Sequence, residues 1–143
     1  MTIAIKRVYE LPSAADGRRV LVDRLWPRGL TKERAAVDEW LRELAPSDDL
    51  RRWYHARPSQ WATFRLKYVR ELSQSQSQLA LQRIYELAHA RKRLTLVFAS
   101  KNEDYNNATV LKELIEGLRK PPIGIRAAAA AGVRQRKAAA RRR

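Results

Sequence analysis

Residues 94–99 read LTLVFA. The run is short, apolar and rich in β-formers, and it ends in the polar pair Ser100 and Lys101, which predicts a buried strand. On its N-terminal side Leu81, Ile84, Leu87 and Ala88 recur at helical spacing. Arg91, Lys92 and Arg93 suit the negative end of that helix. On the other side the loop NEDYNN (102–107) offers Asn106 or Asn107 as the cap of a last helix, whose stripe is Val110, Leu111, Leu114, Ile115 and Leu118. A strand held between two one-faced helices argues for an α/β fold.

The rest of the chain extends the pattern. Thr2 to Tyr9 alternates Ile3, Ile5 and Val8 with polar neighbours and predicts a strand. Pro12, Ser13, Asp16 and Gly17 mark a loop. Arg19 to Leu25 predicts a second strand around the continuous run Val20, Leu21 and Val22. Thr31 then caps a helix in which Val37, Trp40, Leu41 and Leu44 fall at i, i+3, i+4 and i+7, until Pro46 stops it. Ser47 caps a short turn or helix carrying Leu50, Trp53 and Tyr54. Pro58 and Ser59 begin a longer helix with the stripe Trp61, Phe64, Tyr68 and Leu72, and SQSQSQ (73–78) is a polar link or exposed helix segment. Three strands separated by helices predict a small, mainly parallel sheet with helices packed on it, in an order the pattern leaves open.

Composition narrows the chemistry. The 143 residues suit one domain with a single core. No run of 18 or more apolar residues suggests a membrane span, and the N-terminus lacks the pattern of a secretory signal, so the expected setting is the cytoplasm, with no membrane partner. The absence of cysteine excludes thiol catalysis and thiolate metal sites, and two isolated histidines, His55 and His89, do not make a metal centre. No metal or cofactor is implied, and the chain has no GxGxxG, P-loop or GxSxG. Asp48 with Asp49, and Glu103 with Asp104, read as helix-start and loop charges rather than as a catalytic dyad.

The net charge of +15 is uneven. Residues 119–143 hold nine Arg or Lys and no acid, so the first 118 residues carry 21 basic and 15 acidic groups, a net of +6. The division expected is a domain over 1–118 and a basic, Ala/Arg-rich tail over 119–143. The tail lacks large apolar residues and reads as disordered. Its cations Arg134, Arg136, Lys137, Arg141, Arg142 and Arg143 suit DNA or RNA phosphates.

A second grouping lies in LVDRLWPRGL (21–30). There an apolar run ends abruptly in Asp23, Arg24, Trp26 and Arg28 before Pro27 and Gly29 break the backbone. Parallel sheets bind ligands beyond the carboxyl ends of their strands. If the strands ending at Asp23 and at Ser100 are neighbours, Arg24, Arg28 and Lys101 converge on one edge. Asn106 would then stand at a helix N-terminus nearby. That set suits a phosphate or carboxylate on a small anionic molecule, with Asp23 orienting an arginine or acting as acid/base. Each residue also has a plainer role: Asp23 as an ion-pair partner, Trp26 as core, Arg28 and Lys101 as surface cations. The stripe of the aromatic helix reads as packing, with an oligomer contact as the alternative.

Three collinear blocks, IKRVYELPSAADGRRVLVDRLWPRGL (5–30), DEWLRELAPSDDLRRWY (38–54) and LTLVFASKNEDYNNATVLKEL (94–114), resemble the domain of unknown function 488 family, in its short YeaO-like branch. Trp61, Phe64 and Tyr68 to Leu72 fit the helical middle of that family. The resemblance implies a compact α/β domain of bacterial cytoplasm without an established biochemical activity. Asp23, Arg24, Trp26, Pro27, Arg28, Lys101, Asn106 and Ala108 match its pattern. Where the branch has a His-Asn pair after its third strand, this chain has Tyr105-Asn106, and a phenol does not replace an imidazole base.

Overall fold

The computed structural model describes residues 2–90 and 93–122. Arg91, Lys92 and the tail cations from Arg126 onward lie outside the described residues, and with them the expectations of a cationic helix end and a disordered tail. Four strands, β1 (Ile3–Arg7), β2 (Arg18–Leu21), β3 (Glu39–Trp40) and β4 (Leu94–Phe98), form one sheet in the order β1-β4-β2-β3, every pair parallel. The helices are α1 (Lys32–Ala35), α2 (Asp48–Ala56), α3 (Trp61–Glu71), α4 (Ser75–Ala90) and α5 (Asn107–Gly117). The α/β class and the parallel sheet are as the sequence pattern predicts.

LTLVFA is buried along the whole of β4 because that strand lies inside the sheet, paired on both sides. Alternate strand residues feed two cores, as the two-residue period requires. Ile3, Val20, Val22, Leu94, Leu96 and Phe98 face the larger one with the apolar stripes of α2 to α5. Val8, Leu21 and Val97 face a thinner layer made by Ala35, Trp26, Leu30, Val37 and Trp40. One face is thus covered by long helices and the other by the 23–38 segment. The outer edge of β1 is closed at its start by α5: Lys112 Nζ donates to the Ile3 carbonyl at 2.6 Å and the Ile3 N–H donates to Glu116 at 3.1 Å.

The helix expected over 31–45 is replaced by three pieces: α1, then β3, then a 3-10 turn at Arg42–Leu44. Thr31 caps α1 as expected, accepting from the Arg34 N–H at 3.2 Å. Ala36 then adopts a left-handed conformation, φ 50° and ψ 43°. The buried Arg19 guanidinium donates to the Ala35 carbonyl at 2.9 Å and to the Ala36 carbonyl at 3.2 Å, taking acceptors that a continuing helix would need. Asp38 completes the break, accepting from the Arg19 N–H at 2.8 Å. The four apolar residues then divide between the cores: Val37 and Trp40 on the thin side, Leu41 and Leu44 on the thick side. The second strand also ends earlier than Leu25, because Asp23 turns in to bond the neighbouring strand. SQSQSQ is partly helix, since α4 begins at Ser75.

Candidate functional site

Asp23 organises the carboxyl end of the sheet. It follows Val22, whose N–H still donates to Val97 of β4 at 3.2 Å, and it is the first residue past that pairing. One carboxylate oxygen accepts the Ala99 N–H at 2.8 Å; the other accepts Asn107 Nδ2 at 3.1 Å. Its carbonyl accepts the Trp40 indole N–H at 2.7 Å. Through its carboxylate Asp23 therefore ties the ends of β2 and β4 to the first turn of α5, and through its backbone carbonyl it holds the end of β3. Burial pushes the Asp23 carboxyl above its ordinary value, while the Ala99 N–H, the Asn107 amide and the charge of Arg51 act in the opposite sense and do not cancel it.

Two more of the polar residues are held in the same framework. Asn106 is buried and caps α5: its oxygen accepts the Thr109 N–H at 3.1 Å and its nitrogen donates to the Asn102 carbonyl at 2.8 Å. Trp26 is half-buried, donates its indole N–H to the Leu30 carbonyl at 2.7 Å and meets Trp40 edge-on at 5.6 Å. The turn between them depends on Gly29, whose φ of 82° is a backbone conformation other residues rarely adopt.

Arg24, Arg28 and Lys101 are exposed, and none makes a side-chain hydrogen bond or ion pair with a described residue. Arg24 directly follows Asp23, and Lys101 comes two residues after Ala99, so the Asp23–Ala99 bond brings these two chain positions to adjoining strand ends. The charge of Arg24 reaches Asp48 in the first turn of α2 and helps hold that carboxyl below its ordinary value, after the hydrogen bond from Arg51. Arg28 is set apart towards β1, where its carbonyl accepts the Tyr9 hydroxyl at 2.9 Å. The tail residues Arg134, Arg136, Lys137, Arg141, Arg142 and Arg143 lie outside the described residues.

Sequence reasoning passed over Tyr105 as a site residue. Its ring is 51% exposed and packs against Trp61 at 5.2 Å, and its carbonyl accepts the Tyr54 hydroxyl at 3.3 Å. Trp61 continues through Phe64 to the fully buried Tyr68, so Tyr105 is the outer end of an aromatic column. Asn107 and Trp40 were also missed as partners of Asp23; nothing in their spacing marks a contact across so many residues. An aromatic residue in a polar loop just before a helix cap was the available signal for Tyr105. His55 is exposed at the end of α2, and His89 lies on α4 with Nδ1 at 2.9 Å from the Tyr85 carbonyl. No group of acidic, His or Cys side chains suited to a metal occurs among the described residues.

Comparison with known proteins meets this geometry at residues 2–121, which match the model of DUF488-N3i, described as the inactive DUF488-N3 subclade. The chain belongs to the domain of unknown function 488 family. It is 42% identical over 118 residues to the uncharacterised protein YeaO of Escherichia coli strain K12, covering 82% of this chain and all of that protein. It is 36% identical over 115 residues to uncharacterised proteins of Mycobacterium bovis and Mycobacterium tuberculosis, covering 80% of this chain and 94% of each. No solved structure matches. Among the described residues no helix is long and apolar enough to cross a membrane.

Proposed function

We propose that the folded domain is a non-catalytic binding module that takes an anionic small molecule at the carboxyl end of its sheet, through Arg24 and Lys101 with Arg28 at the rim. The observation that carries this reading is the division of labour around Asp23. The acid and both asparagines of the motif are committed to internal bonds, while the cations beside them are exposed and unpaired among the described residues. An unpaired guanidinium and ammonium on a rigid edge are suited to phosphate or carboxylate. The absence of an uncommitted base among these residues, and the description of the matching subclade as inactive, support binding rather than turnover.

A thermal-shift screen with inorganic phosphate, nucleotides and sugar phosphates tests this. At least one anion should raise the melting temperature, and the Arg24→Ala, Lys101→Ala double variant should lose that shift while melting at the parent temperature without ligand. No shift with any of these anions would end the proposal. A second reading rests on the nine cations of 119–143 without one acid: DNA or RNA bound through the tail.

A further inference from the structure

We infer that the anion taken at this edge carries an aromatic ring, and that the site fits a nucleotide: a base stacked on Tyr105 and a phosphate held by Lys101 and Arg24. The inference rests on the anion-binding reading and adds the chemistry of the rest of the ligand. Tyr105 lies two residues before Asn107, and Arg24 one residue after Asp23; the side chains of Asn107 and Asp23 are in contact at 3.1 Å. Lys101 stands in the same 100–106 loop as Tyr105. The exposed ring and the two cations, which make no side-chain hydrogen bond or ion pair with a described residue, therefore stand within a few positions along the chain of one hydrogen-bonded hub.

The loop is braced. The Ser100 hydroxyl accepts the Asn102 N–H at 3.2 Å, Asn102 Oδ1 accepts the Asp104 and Tyr105 N–H groups at 3.1 and 2.9 Å, and Asn106 closes back on the Asn102 carbonyl at 2.8 Å. Trp61 supports one part of the Tyr105 ring and leaves the remainder in solvent. An aromatic side chain fixed before binding loses little entropy when a flat ring settles on it. Aromatic platforms beside cations are how proteins hold single nucleotides of a strand without reading their sequence. Glu103 and Asp104 are also exposed in this loop and oppose a phosphate, so they weaken the site.

Isothermal titration of the full-length chain with AMP, ribose 5-phosphate and inorganic phosphate separates the ring from the anion. AMP should bind at least about fivefold more tightly than ribose 5-phosphate. Tyr105→Ala should erase that difference and leave ribose 5-phosphate affinity unchanged, while Tyr105→Phe keeps it. Glu103→Gln with Asp104→Asn should tighten AMP about twofold. Equal affinity for AMP and ribose 5-phosphate would overturn the nucleotide assignment while sparing the anion site; no binding of any of the three would overturn both. Unchanged AMP affinity in the Glu103, Asp104 variant would place the phosphate elsewhere and overturn the assignment too. A short oligothymidylate of about five nucleotides identifies the source. Tighter binding than AMP, lost in Tyr105→Ala, supports a nucleic-acid strand, and weaker binding supports a free nucleotide.

Discussion

Asp16 is buried beneath the thin side of the sheet with Arg19 at 2.7 Å and Lys6 at 3.1 Å, and it also accepts the Ser13 N–H at 3.0 Å. Burial works against its charge, but the Ser13 N–H and the two cations outweigh it and hold the carboxyl below its ordinary value. A carboxyl with a depressed folded-state pKa stabilises the fold at neutral pH, and that contribution is lost as pH falls through the folded pKa, from about pH 4 downward. Removing the charge also leaves Arg19, only 3% exposed, without its ion-pair partner. Asp16→Asn should therefore cost about 3 kcal/mol at neutral pH. In urea titrations the gap from the parent should close in acid, where the parent has itself protonated Asp16; a gap independent of pH would contradict this account. Asp23 has the opposite sign. Its pKa is raised, so its ionisation costs stability as pH rises through the folded value. The two aspartates thus differ in purpose: one fastens the α1 side of the sheet, and the other accepts an electrostatic cost to bind strand ends together.

At the scale of elements, Asn106 is the residue whose two readings diverge most. The sequence offered it both as a helix cap and as a ligand donor, and in the structure both ends of its amide are engaged, one with Thr109 and one with Asn102. Asn106→Ser keeps a capping oxygen and Asn106→Ala does not, so the serine variant should be the more stable by about 1 kcal/mol in chemical unfolding. Equal stability of the two would mean the cap contributes nothing and would free Asn106 for a ligand. Caps of this kind were legible because they are local: Thr31, Ser47 and Asn106 each bond an N–H three residues on. The buried strand LTLVFA was legible for the same reason. The 31–45 segment was not, because a good helical spacing there is overruled by Arg19, a residue of another strand, and by the left-handed turn at Ala36. The site was legible by halves. Its strand ends and cations stand in the sequence, but the hub does not. Asp23 bonds Ala99 and Asn107, separated from it by 76 and 84 positions, and only the strand order makes β2 and β4 neighbours.

For the whole molecule the question is which cations meet the phosphates of a nucleic acid. Seven of the basic residues lie in 123–143, against a net of +6 for the first 118 residues. Each engaged phosphate contributes about 0.9 to the slope of log affinity against log salt on duplex DNA. A chain ending at residue 122 should then lose up to about 6 of that slope if the tail carries the contact. Arg24, Arg28 and Lys101 would leave a residual slope of about 2–3 if the sheet edge also engages the backbone. Fluorescence anisotropy on a labelled duplex over a salt series reads both quantities. A truncated chain with the parent's slope would move the nucleic-acid contact onto the folded domain and remove the tail reading. A truncated chain with no duplex binding at low salt, but a retained preference for AMP over ribose 5-phosphate, would separate the two surfaces altogether. That result would assign the sheet edge to a small nucleotide and the tail to the polymer, because a single base stacked on Tyr105 needs no duplex and a string of arginines needs no base.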